Sequence, residues 1–525
     1  MPAGYLALVL HAHLPFVRHP EHDECFEEDW LFEAITETYI PLLGMMQRLV
    51  RDQVPFRLAL SITPPLCAML QDELLQTRFV RYLERAISLA GQEMARHSRQ
   101  PELAQLARFY CELLTETRRR FVEEWDCDLL SIFQQLRDAG VLELVASAAT
   151  HGLLPLLAPS PQAIRAQVLI GCDVYRETFG EEPSGFWLPE CAYTPELNKI
   201  LQEANIRWFV LDAHGLALAT PRPRRAIYAP CFTAAGPAAL ARDPESSRQV
   251  WSAESGYPGE PVYRDFYRDV GFDLPPAEVF PESTLKIPRF TGLKYHRVTG
   301  RTAEKEVYDR AWAESAANSH AAHFLDSRRR QLRELEPVDF DPIIVMPFDA
   351  ELFGHWWYEG PLFLEHFIRQ AAPLAGELQL TTPGEYLRTH GTQEVAAPAA
   401  SSWGEGGYWA VWLDKSNAWI YPHLHAAARQ MTEIARRYAA EPSPLAERAL
   451  QQLARELLLA QSSDWAFLMR AGTAGPYATR RTTGHLQHFR ALYDQLKNDA
   501  IDEAFLTKCE TCDNLFPNLR WRHYL

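Results

Sequence analysis

Apolar residues along this chain follow two periods. Unbroken runs such as Tyr5-Leu6-Ala7-Leu8-Val9-Leu10 and Ile343-Ile344-Val345-Met346 have strand length and no polar face, as strands buried on both sides of a parallel sheet do. Similar runs occur at 56–62, 142–148, 185–188 and 207–211. Between them, helical spacing predicts helices over 33–50, 161–179, 195–204 and 303–336, with a long helical excursion from 64 to 139. Strand and helix alternating this often predict an α/β fold, a parallel sheet closed into a barrel or strongly wound. The rhythm breaks over 221–284, rich in Pro, Gly, Arg and aromatic residues, which is expected to be an inserted loop region lying over the barrel mouth. A small-residue stretch at 395–400 resembles a linker, and 401–413 is aromatic and glycine-rich, suited to a platform. Amphipathic helices follow to about 498. The expected organisation is a catalytic barrel over 1–400, with the insert at about 221–284, and an α-helical domain over 401–525 that contributes to the cleft.

The strand ends carry the candidate chemistry. Ile343 to Met346 runs into Pro347-Phe348-Asp349, and Gly185-Phe186-Trp187-Leu188 runs into Pro189-Glu190. Each is an apolar strand stopped by proline, with a carboxylate after it and aromatic neighbours. In α/β barrels the carboxyl ends of strands are where catalytic side chains collect. Two carboxylates framed by tryptophan and tyrosine suit glycoside chemistry, which needs one acid at the leaving oxygen and one anion at the anomeric carbon. A lone carboxylate after a strand is more often a cap or turn residue; the repetition of the design singles out Glu190 and Asp349. The first strand ends in His11-Ala12-His13, whose two imidazoles share a face if the chain stays extended, and another ends near His151. A His-Xaa-His pair lacks the three or four ligands that zinc takes, so contacts with sugar hydroxyls are favoured over a metal.

Composition narrows the partner. Fifty-two basic and 68 acidic residues give a formal charge of −16 over 525 residues, which argues against nucleic acid and anionic membranes. Fourteen tryptophans in an 11% aromatic chain supply faces for sugar rings. No apolar run reaches membrane-spanning length and no secretory signal pattern is visible, so a cytoplasmic protein is expected, as a monomer. Of nine cysteines, Cys67, Cys172 and Cys231 read as reduced core residues. Cys509-Glu510-Thr511-Cys512 is the one CxxC. A zinc site there needs two more ligands, and His485, His488 and His523 are available but unpatterned, so no metal or cofactor is expected.

Taken in order, His11-Ala12-His13-Leu14-Pro15, the segment ending at His151, Trp187-Leu188-Pro189-Glu190-Cys191-Ala192-Tyr193, Met346-Pro347-Phe348-Asp349-Ala350-Glu351-Leu352-Phe353-Gly354-His355-Trp356, and Trp403-Gly404 resemble glycoside hydrolase family 57, and within it the 1,4-α-glucan branching enzymes. The resemblance spans nearly the whole chain, including Ser462-Ser463-Asp464-Trp465, similar to a segment that completes the donor site. It implies an incomplete (β/α)7 barrel with a helical C-terminal domain, no metal, and a retaining mechanism that transfers an α-1,4-linked chain to a 6-hydroxyl. Glu190 then matches the nucleophile and Asp349 the general acid/base, with a pKa raised by its neighbours and an apolar wall. His11, His13 and His151 match residues around the cleaved glucose. Trp187, His355, Trp356 and Asp464 join them as substrate contacts, Trp403 and Trp412 match chain-binding tryptophans, and Phe272 stands where another aromatic is common. A flexible loop over the cleft usually carries a tyrosine in these enzymes; the stretch aligned with it, 231–243, has none, which leaves hydrolysis in view beside branching.

Other readings remain distinguishable. An amylase-like hydrolase or a 4-α-glucanotransferase of the same family differs in products. A metal-dependent deacetylase or mannosidase on a related barrel, prompted by His11 and His13, would be chelator-sensitive. A catalytically silent glucan-binding protein would be indifferent to substitution of Glu190 and Asp349.

Overall fold

The computed structural model describes residues 3–252, 255–335 and 340–525. Ten strands are assigned among them: β1 (Gly4–Ala12), β2 (Leu58–Ile62), β3 (Leu142–Ser147), β4 (Gly185–Trp187), β5 (Trp208–Leu211), β6 (Cys231–Phe232), β7 (Ala238–Ala241), β8 (Ile343–Asp349), β9 (Leu378–Thr381) and β10 (Glu394–Val395). Seven run parallel in the order β8-β1-β2-β3-β4-β5-β7. Among the described residues the two ends meet by backbone pairing at one Arg242–Val345 bridge, where the Asp243 N–H donates to the Val345 carbonyl at 2.8 Å. The barrel is therefore closed by an isolated bridge rather than a strand ladder, which is its incompleteness in physical terms. β9 pairs with the first half of β1 while β2 pairs with the second half, so the wall splits below the mouth.

The apolar runs became strands because both of their faces are covered: Leu6, Ala7, Val9, Ile343, Val345 and Met346 are at most 1% exposed. The helices between strands start where the sequence supplies caps. Asp72 accepts from Leu75 N–H at the start of Glu73–Arg96, and Asp128 from Ser131 N–H at the start of Leu129–Asp138, satisfying donors that a helix leaves open. The expected 33–50 helix is Glu28–Ala34, a π-helical turn at Ile35–Tyr39, and Ile40–Arg51. The expected 303–336 helix is Arg310–Glu334, and its last expected residue, Glu336, lies outside the described residues.

The 221–284 stretch needs correction. It is not a loop throughout: β6 and β7 form an antiparallel hairpin, and β7 lies parallel to β5 as a barrel strand. Ala238–Ala241 carries no β-branched or aromatic residue and so no local strand signal, yet its residues are at most 1% exposed; the neighbouring strand supplied what propensity lacked. The 231–243 stretch, expected to be the flexible loop, is thus built into the wall. Connections to either side, including the short helices Pro244–Trp251, Val270–Asp273 and Pro276–Val279, make up the rest of the insert.

The C-terminal part contains helices Ile420–Arg437, Pro444–Ala460, Ser463–Ala471, Gly475–Lys497 and Glu503–Cys512. It packs onto the barrel through a cluster joining Leu153 and Ala192 to Trp412, Ile420, Leu424, Ala460 and Ala466.

Candidate active site

Glu190 sits in the turn after β4 with φ 61° and ψ 23°; Cys191 and His151 also have positive φ. Non-glycine residues held in the left-handed region cost free energy and cluster where a side chain must be aimed. Trp403 holds Glu190 in that pose. Its indole N–H donates to Glu190 Oε2 at 2.7 Å and its backbone N–H to the Glu190 carbonyl at 3.1 Å. His151 Nδ1 lies 4.0 Å from the other carboxylate oxygen.

Asp349 ends β8, in register with His11 on β1. Two residues on, the buried Glu351 accepts from the Tyr39 hydroxyl at 2.5 Å and from the His13 N–H at 3.0 Å. Burial is the main cause that raises all three carboxyls: Glu190 to about 8, Asp349 to about 7 and Glu351 to about 7. Asp349 raises Glu190 further, and Glu351 raises Asp349. The Trp403 donor works the other way and favours an ionised Glu190.

Three histidines form a stack beside them. His13 and His151 rings lie 3.8 Å apart, and His11 stacks on Trp187 at 4.4 Å. His11 Nε2 and His151 Nε2 are 3.0 Å apart, so one donates and one accepts and both cannot be charged. Burial pushes both well below the usual imidazole value. Asp464 pairs with His13 Nε2 at 3.0 Å, which fixes that nitrogen as the donor. Burial alone would raise Asp464, but His13 holds it down at about 2. Ser463 meets His151 Nδ1 at 2.9 Å and Thr63 meets His13 Nδ1 at 2.9 Å. The helical part thus completes this wall. The donor set of His13, His151 and Asp464 also has the spacing of a metal site.

The structure gathers Glu190, Asp349, His11, His13, His151, Trp187, Trp403 and Asp464 into one constellation. His355 and Trp356 stand at its rim. His355 Nδ1 is 2.9 Å from Glu37 on the π-helical turn, and the half-exposed Trp356 stacks on Phe266 at 4.6 Å. Phe272 touches neither carboxylate; it reaches Trp356 only through Phe290 and Phe266. Trp412 departs from expectation. It is 2% exposed and packs under Gly404, where a Cβ would stand 2.5 Å from its ring, so it supports the Trp403 loop and offers no open face to a sugar.

Four residues of the site escaped the sequence reading. Glu351 stood inside a quoted motif, and its partnership with Tyr39 depends on a helix more than three hundred residues earlier. Arg242, in the stretch expected to be a loop, places its guanidinium 5.4 Å from the Trp403 ring and bonds Asp212 at 3.3 Å. Glu37 and Tyr39 lie in a helix whose π-helical turn leaves no mark in the sequence.

Residues 7–274 match the profile of the family described as Glycosyl hydrolase family 57, and 423–524 match one described as 1,4-alpha-glucan branching enzyme, C-terminal. A 1,4-alpha-glucan branching enzyme of Thermococcus kodakarensis is 34% identical over 98% of this chain and 77% of its own length. Among solved structures, an alpha-amylase of Thermotoga maritima, AmyC, superposes with TM-score 0.93 at 42% identity over 99% of each chain. The family-57-type branching enzyme of Pyrococcus horikoshii does so with TM-score 0.89 at 32% identity, over 100% of this chain and 97% of that one. The chain belongs to glycosyl hydrolase family 57.

Proposed function

We propose that this protein is a 1,4-α-glucan branching enzyme that works by retaining double displacement. The observation that carries the reading is the pairing of a Trp403-anchored Glu190 after β4 with a half-buried Asp349 at the end of β8, both at the carboxyl ends of parallel strands, in a chain similar along its length to branching enzymes. In the first step Asp349 gives its proton to the glycosidic oxygen, while the Glu190 carboxylate attacks the anomeric carbon and forms a glucosyl ester. In the second step Asp349 takes the proton of an incoming glucan 6-hydroxyl, whose oxygen displaces Glu190. His11, His13, His151 and Asp464 hold the hydroxyls of the reacting glucose, with Trp187 as part of the wall. Trp403, Trp356, His355 and the Phe272 rim contact the chain. The same reading places the enzyme in the cytoplasm, as a monomer building a glycogen-like polymer.

One specific pair of observations favours a second reading, α-1,4-glucan hydrolysis. The chain is 42% identical to an alpha-amylase over 99% of both lengths, and the 231–243 stretch, where a covering loop with a tyrosine was expected, is a hairpin built into the wall. Proton NMR of amylose incubated with the protein separates the two. Branching requires α-1,6 anomeric signals to accumulate faster than reducing ends; reducing ends rising alone would establish hydrolysis and overturn the branching assignment.

A further inference from the structure

The CxxC of the C-terminal part has a partner set that the sequence does not display. Glu456 on Pro444–Ala460, His485 and His488 on Gly475–Lys497, and Cys509 at the end of Glu503–Cys512 converge between three helices. Among the described residues Cys512 is not grouped with them, and His523 Nε2 pairs with Asp173 instead. Glu456 is 0% exposed, Cys509 1%, and His485 and Asp513 3% each. The ligand atoms of Glu456, His488 and Cys509 all lie within 4.8 Å of one another, as do those of Glu456, His485 and Asp513.

The cluster contains ion pairs of Glu456 with His485 and His488, and three details of it also suit a bound metal. His488 Nδ1 stands 3.5 Å from Glu456 Oε2 and has no hydrogen-bond partner. Ligands about 2.0–2.1 Å from a tetrahedral zinc stand about 3.4 Å apart, so the spacing that is loose for a hydrogen bond suits a shared metal. The Cys509 thiol makes no hydrogen bond among the described residues. Glu456 is oriented from behind, by Gln452 at 2.8 Å on one oxygen and His485 at 2.7 Å on the other, as ligating carboxylates are in metal sites. Of the nearby cations, Arg455 is engaged by the Leu515 and Phe516 carbonyls, and Arg481 by the Phe16 carbonyl and, at 3.5 Å, by Asp513.

We propose that Glu456, His488 and Cys509 form a structural site for a tetrahedral divalent cation, zinc by its mixed S/N/O donors, which ties the three helices together. Asp513 groups with Glu456 and His485 rather than with His488 and Cys509, so a solvent molecule completes the tetrahedron. On binding, the Cys509 S–H bond breaks, its proton passes to solvent, and the thiolate bonds the metal. His488, whose side chain is 36% exposed, marks the entry side. This site is separate from the catalytic wall and stands or falls independently of the branching assignment.

Cobalt(II) added to the metal-stripped full-length protein tests it, because only a thiolate site gives the sulfur-to-cobalt charge-transfer band. The expected result is uptake of about one equivalent with that band, displaced by zinc, and a rise in thermal midpoint on adding zinc. C509A and H488A are expected to lose the band and the rise. H488A alters a partly exposed position and carries the test if C509A does not fold. No uptake, uptake without the thiolate band, or uptake that persists in the variants would overturn the proposal, the last two locating the metal elsewhere, as at His13, His151 and Asp464.

Discussion

Trp403 fixes Glu190 at two points, through the indole N–H to the carboxylate and through the backbone N–H to the carbonyl. One residue from the segment that follows the barrel therefore controls both the side-chain pose and the strained backbone of Glu190. Beneath it, Trp412 occupies the space that any side chain at position 404 would need. The platform segment serves first as a clamp.

W403F keeps a ring and removes the donor. A hydrogen bond to a charged group contributes about 1.5–3 kcal/mol, so kcat is expected to fall roughly 10- to 100-fold. Because the N–H favours the ionised carboxyl, the acidic limb of the kcat/KM profile should move to higher pH. A limb that stays in place would show that the bond positions Glu190 without acting on its ionisation.

Glu351 raises Asp349 through its charge. In E351Q that charge is gone, so Asp349 should lose its proton at lower pH, and the basic limb of the pH–rate profile should shift downward. His13 and Tyr39 lose a carboxylate acceptor in the same variant, which is expected to raise KM as well. A basic limb that does not move would assign the elevation of Asp349 to burial alone.

D349N should abolish turnover, by about 10³-fold or more on the scale of acid/base removals, and should also stabilise the fold at alkaline pH. The sign follows from linkage. A carboxyl raised to about 7 in the folded state contributes stability below its unfolded value, and that contribution is lost as pH rises through the folded value. The amide has no such loss. The midpoint of D349N relative to the native protein should therefore climb between pH 5 and pH 8, by roughly 1 °C for each kcal/mol relieved in a chain of this length. Calorimetry at the two pH values measures it, and a constant difference would contradict the assignment.

Gly354 has φ 123°, and a Cβ there would stand 1.8 Å from the Glu37 carbonyl oxygen. G354A must push the π-helical turn away from the motif loop, parting His355 from Glu37 and straining the backbone in a region closed to L-residues. Loss of a few kcal/mol of stability, at the larger end of single-substitution effects, is expected in denaturant titration together with a raised KM. A native-like midpoint would show that the turn yields without cost.

The strand-end chemistry was legible because its signals are local. An apolar run closed by proline specifies a buried strand and its end, and whatever follows, Glu190, Asp349 or the His11/His13 pair, is delivered to the mouth of the barrel. The capping aspartates and helix periods belong to the same class of information. By itself the sequence determined the alternation of strand and helix, the carboxylate pair and the histidine rim. Tertiary structure alone decided that Ala238–Ala241, with no strand propensity, is a barrel stave; that Trp412 is a buried prop; that Tyr39 and Glu37 reach the Asp349 loop; and that His488 and Glu456 meet Cys509. Each of these depends on which residues from distant parts of the chain cover a given side chain, and burial of that kind is a property of the packed assembly that no window of the sequence contains.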